Sequence, residues 1–199
     1  MTSFAQLFMS NTWKSAIVFC LMTVMGCETP GYEKYRALVD QGLAGGQRAD
    51  SIFFGIHFGM SSKQFYMHCW EMNKKGLFTD GAGNTAVLYK MTKGLKYPAS
   101  MNFYPEFHRD VITRMGVSFR YDGWAPWNKH MLADSLKQDV LQLYQSWYPE
   151  GNPFIAIEDK GRGTIYVKVD GNRRIIIGSY DEAHVKVDYT DLFNEKLKE

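Results

Sequence analysis

Two stretches of the chain begin with the same helix-start signal and then continue into strand-like sequence. The signals are Ser61-Ser-Lys-Gln64 and Ser135-Leu-Lys-Gln138. A serine followed by glutamine three residues later can form a capping box, in which the two side chains satisfy backbone N–H groups that a helix start leaves free. Glycines and Pro149 end the helical pattern near residues 73–76 and 148–151. The sequence therefore predicts two helices, each leading into its own group of strands.

The apolar residues after each signal keep helical spacing, which predicts one buried face per helix. In the first helix these residues are Tyr66, Cys69 and Trp70, and in the second they are Val140, Leu143 and Tyr144. Free cysteine is among the most buried residue types, so Cys69 is expected to pack in the core rather than to act as a nucleophile.

Alternating sequence predicts three strands after the first helix and four after the second. Their ranges are 85–91, 101–107 and 111–121, then 153–157, 164–169, 174–179 and 184–188. The longest carries apolar residues on one face and polar residues such as Arg114 and Ser118 on the other, which is typical of a half-buried antiparallel strand. Asp170-Gly171-Asn172 predicts a tight hairpin turn. A further strand is expected at 51–58, before the first helix.

Both groups of strands also end alike, in Val117-Ser-Phe-Arg-Tyr121 and Val185-Lys-Val-Asp-Tyr189. The predicted fold class is therefore α+β, with two tandem helix-plus-antiparallel-sheet repeats forming one globular unit. The repeats are expected at residues 51–124 and 125–199, the second with a short C-terminal helix. Chance similarity between two amphipathic segments is the alternative explanation.

The first 26 residues are predicted to be a signal peptide. Lys14 precedes an uncharged run of eleven residues, Ser15 to Met25, whereas a membrane-spanning helix needs about 20. Val24-Met25-Gly26-Cys27 resembles the bacterial lipobox, although Met25 stands where a small residue is common. The resemblance implies a lipid on Cys27. A buried N-terminal helix is the alternative.

Residues 27–50 are expected to form the lipidated N-terminus and a tether. Four glycines and a proline surround a short helical stretch near 32–41, a composition typical of a flexible spacer. The folded part would then lie in the cell envelope, periplasmic or surface-exposed, and attached to a membrane, with the outer membrane expected ahead of the inner one.

A helix followed by a three- or four-stranded antiparallel sheet, in tandem, is similar to the β-lactamase-inhibitor-protein-like fold. That fold also occurs in small lipoproteins of outer-membrane assembly. The resemblance rests on the order of elements and on the lipobox-like leader. It implies a non-enzymatic protein that presents its sheet to another protein.

Charge and motifs exclude several function classes. The formal net charge is only +2, so no nucleic-acid partner is expected. No zinc-ligand spacing, phosphate-binding loop or nucleophile motif occurs, and no cofactor or metal is expected. Glu106, His108 and Asp110 share one strand face and could hold a cation, but a solvated strand edge explains them equally well.

The join between the two predicted repeats, Tyr121-Asp-Gly-Trp-Ala-Pro-Trp127, is the candidate binding site. Two tryptophans in one loop either pack between the halves or contact a sugar, a peptide or a protein. Pro126 stiffens the loop, so we expect Trp124 to be buried and Trp127 to be exposed. The candidate partner-binding residues are Tyr121, Trp124, Trp127 and Tyr148.

These features together predict a lipid-anchored envelope protein with a non-catalytic domain. Its partner is expected to be another envelope protein or a glycan. The alternative is a periplasmic hydrolase acting on a glycan or peptide, which would require a carboxylate pair or a Ser/His/Asp cluster in a deep pocket.

Overall fold

A computed structural model describes residues 30–81 and 85–195 of the chain. Four α-helices lie in this part: α1 (Pro30–Gly45), α2 (Ser62–Lys74), α3 (Ala133–Trp147) and α4 (Leu192–Glu195). A single 3-10 turn, Lys129–Met131, precedes α3. The predicted signal peptide and Cys27 lie outside the described residues.

Eight strands form one antiparallel sheet in the order β1-β2-β3-β4-β8-β7-β6-β5. Their ranges are β1 (Phe78–Asp80), β2 (Val87–Met91), β3 (Ala99–His108), β4 (Val111–Tyr121), β5 (Ile155–Asp159), β6 (Gly163–Asp170), β7 (Arg173–Ser179) and β8 (Val185–Asp191). The α+β class is therefore confirmed. The strand β1 is the one strand of this sheet that the sequence pattern did not predict, because a segment of three residues is too short to show alternation.

The centre of the sheet is the antiparallel pair of β4 and β8. Val117 lies opposite Val187, and Ser118 lies opposite Lys186. The strands that follow α2 therefore occupy one side of this pair and the strands that follow α3 occupy the other. The turn predicted at residues 170–172 joins β6 to β7, and Gly171 there has φ +54°, a conformation that glycine adopts at little cost.

Helices α2 and α3 cover the same face of the sheet, which we call the inner face. The main core lies between this face and the helices, and it is rich in aromatic residues. Helix α3 buries six of its residues, among them Leu136, Val140 and Tyr144, each fully buried. These contacts fix α3 across β4, β7 and β8.

The prediction of which face of α2 is buried is wrong, because the buried face is shifted by about one residue. Tyr66 is 51% exposed and Trp70 is 61% exposed, whereas Phe65 is the residue of α2 that is fully buried. Cys69 and Met72, at helical spacing from Phe65, pack partly against the core. Both choices of face fit a 3.6-residue period, so spacing alone did not separate them.

The two predicted capping boxes also have different outcomes. Ser61 is the N-cap of α2, and both hydrogen bonds of the box with Gln64 are present, so this prediction is confirmed. Helix α3 begins two residues before Ser135, and its N-cap is Leu132, which makes no side-chain cap. The second box is therefore wrong, because Ser135 lies inside the first helical turn.

The described part of the predicted tether is a docked helix rather than a free spacer. Helix α1 packs on the outer face of the sheet against β5 and β6, through Leu38, Val39 and Leu43. A Cβ on Gly42 would lie 2.4 Å from the carbonyl oxygen of Gly171, and one on Gly31 would lie 2.6 Å from that of Ala156. These glycines therefore allow close packing instead of supplying flexibility.

The strand predicted at 51–58 is instead a compact turn. Ser51 forms an isolated bridge with His57, and the Ile56 N–H donates to the Phe53 carbonyl. Gly55 has φ +82°, and Phe54 before it has φ +50°. Such positive φ values reverse the chain direction, so an extended strand cannot form there.

Candidate functional site

The predicted join is an ordered loop held against the loop between β7 and β8. The Glu182 carbonyl accepts a hydrogen bond from the Trp124 indole N–H at 3.3 Å and another from the Ala133 backbone N–H at 2.9 Å. Since Ala133 begins α3, the Glu182 carbonyl connects the join, α3 and the β7–β8 loop. The tryptophans therefore lie on a braced scaffold, which lowers the entropy lost when a partner binds.

The two join tryptophans differ in exposure. Trp127 is 85% exposed, the highest value among the large apolar residues that the structure describes as exposed. Trp124 is half-buried and packs against the core. The predicted exposure of Trp127 is confirmed, whereas Trp124 is less buried than expected. An indole that remains in water on a braced loop is a feature of binding surfaces.

Two aromatic rings, one in this loop and one beside it, lie next to basic side chains. The Arg120 guanidinium lies 5.3 Å from the centre of the Trp124 ring, and the Lys186 ammonium lies 3.5 Å from the centre of the Tyr180 ring. Tyr180 is itself 64% exposed. We call Arg120, Trp124, Trp127, Tyr180 and Lys186 the aromatic rim. Trp, Tyr and Arg are the residue types that most often dominate protein interfaces.

The aromatic rim borders an open part of the outer face of the sheet. A shallow depression of about 330 Å³ lies over β3, β4 and β8. Its lining includes Asn102, Tyr104, Ser118, Lys186 and Asp188. Lys186 belongs to both features, so the rim and the depression are continuous. Helix α1 covers the part of this face formed by β5, β6 and β7, which leaves the depression over β3, β4 and β8 accessible.

Tyr121 is a core residue and not part of the surface. Its side chain is fully buried, its hydroxyl donates to Asp139 Oδ2 at 2.5 Å, and its ring contacts Tyr97. Burial and the Asp139 carboxylate both raise the pKa of Tyr121 well above its usual value. The prediction that Tyr121 contacts a partner is therefore corrected, because strand alternation turns it inward with Phe119 and Val117.

Tyr148 lies at the opposite end of α3 from the join. Its hydroxyl donates to the Ile52 carbonyl and lies 2.9 Å from the Tyr189 hydroxyl. Burial raises its pKa to about 12. A helix of 15 residues is about 22 Å long, so Tyr148 and Trp127 do not form one groove. The structure therefore joins Trp124 and Trp127 but separates them from both predicted tyrosines.

Polar groups near the join are already engaged in structural contacts. Asp122 accepts hydrogen bonds from Ser100 Oγ at 2.5 Å and Lys90 Nζ at 3.1 Å. Partial burial opposes ionisation, but these two donors lower the pKa of Asp122 below its usual value. This carboxylate is thus held by residues of β2 and β3.

The cation site considered at Glu106, His108 and Asp110 has no support in the geometry. Glu106 pairs with Arg114, and Asp110 accepts a hydrogen bond from Ser62. Across the described residues 30–81 and 85–195, no group of three or more His, Cys, Asp or Glu side chains is placed to hold a metal ion. In the same part of the chain, no helix combines the length and apolar character needed to cross a membrane.

The chain matches no protein-family model, no curated protein and no solved structure. The candidate site therefore rests on the geometry described above.

Sequence reasoning missed Arg120, Tyr180 and Lys186. Arg120 and Lys186 stand at outward-facing positions of strands that were predicted correctly. The missing information was the pairing of β4 with β8, which places residues distant in sequence beside each other. Without that pairing, each residue was an ordinary surface side chain.

Proposed function

We propose that this protein is a lipid-anchored cell-envelope protein whose folded part is a non-catalytic binding module. Its partner is another envelope protein, which contacts the aromatic rim and the neighbouring depression. The 85% exposure of Trp127 on a braced loop is the observation that carries the proposal.

The composition of the site supports a protein partner. In the rim Arg120 lies over the Trp124 ring and Lys186 over the Tyr180 ring. Such surfaces combine large apolar contacts with charge complementarity. The depression is shallow and open, whereas small-molecule sites are usually concave and enclosed. A partner with an apolar protrusion and acidic residues around it fits this surface best.

Capture of partners from detergent-solubilised envelopes tests the proposed site. The wild-type chain, Trp127→Ala and Leu77→Ala are each used as bait, and Leu77 is the control because it is exposed but lies outside the rim and the depression. We expect Trp127→Ala to lose one captured protein by about tenfold or more, as for an interface hot spot, while Leu77→Ala retains it. Equal capture by all three baits would contradict the proposal. If Trp127→Ala instead lost the binding of a glycan and no captured protein, the proposed protein partner would be wrong and a glycan would take its place.

The lipid anchor needs a separate test. We expect mass spectrometry of the envelope-bound chain to find a lipid-modified peptide that begins at Cys27. A Cys27→Ser variant should lose the modification and leave the membrane fraction, while a Cys20→Ser variant should retain both. Unchanged membrane association of the Cys27→Ser variant would contradict the anchor.

We also propose that the two helix-plus-four-strand segments arose by duplication. The interval along the chain between Ser118 and its pairing partner Lys186 equals the interval between Tyr121 and Tyr189. A two-fold axis through that pair would therefore place the two tyrosines in equivalent positions. Superposition of 62–121 on 133–191 tests this proposal. Failure to match β1–β4 with β5–β8 in order would contradict it.

A further inference from the structure

Helix α2 carries an exposed stripe whose Tyr66 contacts Tyr104 and Phe107 of β3, while most of its apolar surface remains in water. Tyr66, Met67 and Trp70 are 51%, 56% and 61% exposed. Lys63 and Lys74 are also exposed. They fall on the same helical face because Lys63 precedes Tyr66 and Met67 by three and four residues and Lys74 follows Trp70 by four. We call Lys63, Tyr66, Met67, Trp70 and Lys74 the α2 stripe.

The stripe has an apolar centre and a positive charge at each end. The Lys74 ammonium lies 3.4 Å from the centre of the Trp70 ring, and Lys75 follows directly. The Tyr66 hydroxyl lies 2.6 Å from the Tyr104 hydroxyl, so the ring is held at the surface. Glu71 is the single acidic residue of α2, and it lies on the flank of the stripe.

We propose that the α2 stripe docks on the surface of a lipid bilayer that contains anionic headgroups. Tyr and Trp favour the boundary between headgroups and acyl chains, and lysine stems extend towards the phosphates. A single helix on the outside of the molecule is convex, so a deformable bilayer can receive it without a preformed groove. The helix would lie in the plane of the interface, with its apolar side chains entering the bilayer.

Charge disfavours the two occupants that the chain itself could supply. In a second copy packed antiparallel, Lys63 would meet Lys74 of the other molecule, and in a parallel pair each lysine would meet itself. Residues 1–29 contain one lysine and one glutamate, so they offer little charge to complement the stripe. Anionic headgroups supply many negative charges, each lysine near such a surface contributing favourably.

The α2 stripe shares no residue with the aromatic rim, although Tyr66 contacts Tyr104 at the border of the depression. The inference stands without a lipid on Cys27. Helix α2 contacts β1, and α1 contacts β5 at the other edge of the sheet. Seven strand spacings separate these edges, which corresponds to about 34 Å. If Cys27 is lipidated, the α2 stripe supplies a second attachment point, and two attachments bind a membrane more stably than one.

Vesicles of phosphatidylcholine with 30% phosphatidylglycerol, compared with pure phosphatidylcholine, test the inference on the unlipidated full-length chain. Brominated lipid quenches the fluorescence of tryptophans that enter the bilayer. The contribution of Trp70 is the difference between wild type and Trp70→Phe, and Trp127→Phe is the matched control. We expect Trp70 to be quenched in bound protein and Trp127 to remain unquenched. Absence of quenching at Trp70 would overturn the inference even if residues 1–29 bind the vesicles.

Variants that remove charge from the stripe provide a second test of membrane binding. The double variant Lys63→Gln/Lys74→Gln should lower partitioning onto the anionic vesicles by about tenfold or more, from about fivefold per lysine. The control Lys129→Gln/Lys160→Gln removes the same charge from exposed positions elsewhere and should have a smaller effect. Equal losses in the two double variants would overturn the role of the stripe. Partner capture through Trp127 is measured separately, so the two proposals can fail independently.

Discussion

Helices α2 and α3 each lead into four strands and cover the same face of one sheet, yet they bury very different amounts of surface. Helix α3 buries six residues, and α2 buries one, Phe65. Helix α3 lies across the central strands β4, β7 and β8, whereas α2 contacts the edge strand β1. A helix over the middle of a sheet is surrounded by core, but a helix at the edge has core on one side only.

This difference shows how similar sequence patterns can serve different purposes. In α3 the large apolar residues stabilise the fold, whereas in α2 Tyr66, Met67 and Trp70 remain in water. Large apolar side chains exposed together on a helix contribute little to stability and are typical of interaction surfaces. Helix α3 therefore contributes more to the stability of the fold than α2, whose outer side carries the docking surface that we propose.

The strongest test replaces one large aromatic residue in each helix. Tyr144→Ala removes a fully buried ring from α3 and should lower the free energy of unfolding by about 3–5 kcal/mol. Trp70→Ala removes an exposed ring from α2 and should cost less than about 1 kcal/mol, including its contact with Lys74. Urea denaturation of the two variants measures both values. Equal losses would contradict the division of roles.

Thiol reactivity compares how readily the two helices open. Burial raises the pKa of Cys69 to about 11, so its thiol is mostly protonated at neutral pH. In a Cys20→Ser/Cys27→Ser background, alkylation at pH 8 should be about 200-fold slower than for an unfolded chain with an ordinary thiol pKa near 8.5. The rate should rise as the pH approaches 11.

The matched variant is Leu143→Cys, with Cys69 also replaced by serine, which places the thiol on the buried face of α3. We expect its alkylation to be at least about tenfold slower than that of Cys69, because α3 opens only when the core unfolds while α2 can open locally. A faster rate at position 143 would reverse the proposed order of helix stability.

Helix α1 extends the comparison to the outer face. Gly42→Ala would place a Cβ 2.4 Å from the Gly171 carbonyl oxygen, so we expect a loss of about 1–3 kcal/mol in the free energy of unfolding. Gly45→Ala has no atom within 4 Å of the new Cβ and should be neutral or slightly stabilising, since alanine favours helices. If both substitutions were neutral, α1 would be a loosely held spacer, as its glycine content first suggested.

Local patterns predicted most of the fold, and long-range contacts explain what they missed. Strand alternation located seven of the eight strands because burial of one face imposes a two-residue period. The face of α2 was misassigned because Phe65 and Tyr66 both belong to apolar series at helical spacing. Phe65 turns inward because its ring packs against Tyr104 and Phe107 of β3, a contact between segments distant in sequence.

The candidate site was also predicted only in part, because local patterns do not reveal long-range strand pairing. The density of aromatic residues identified the join, and Pro126 correctly indicated that Trp127 faces outward. Tyr121 was included because it is adjacent in sequence, but strand alternation already placed it on the buried face. Arg120 and Lys186 come together only through the pairing of β4 with β8, which a single sequence does not specify.

The smallest expected difference concerns the two helix starts. Ser61 caps α2 with both hydrogen bonds of a capping box, whereas Ser135 lies within the first turn of α3. Ser61→Ala should therefore lower the free energy of unfolding by about 1 kcal/mol. Ser135→Ala should change it by less than about 0.5 kcal/mol, because no N–H group depends on its hydroxyl and alanine is the better helix former.

Thermal melts of both variants, with Ser61→Thr as the conservative control, measure the effect. Equal losses at the two serines would mean that α3 begins later than Ala133 and that the two helix starts are equivalent after all. A loss at Ser61 alone would confirm that α2, with little buried surface, depends on its cap, while α3 is held by its core contacts.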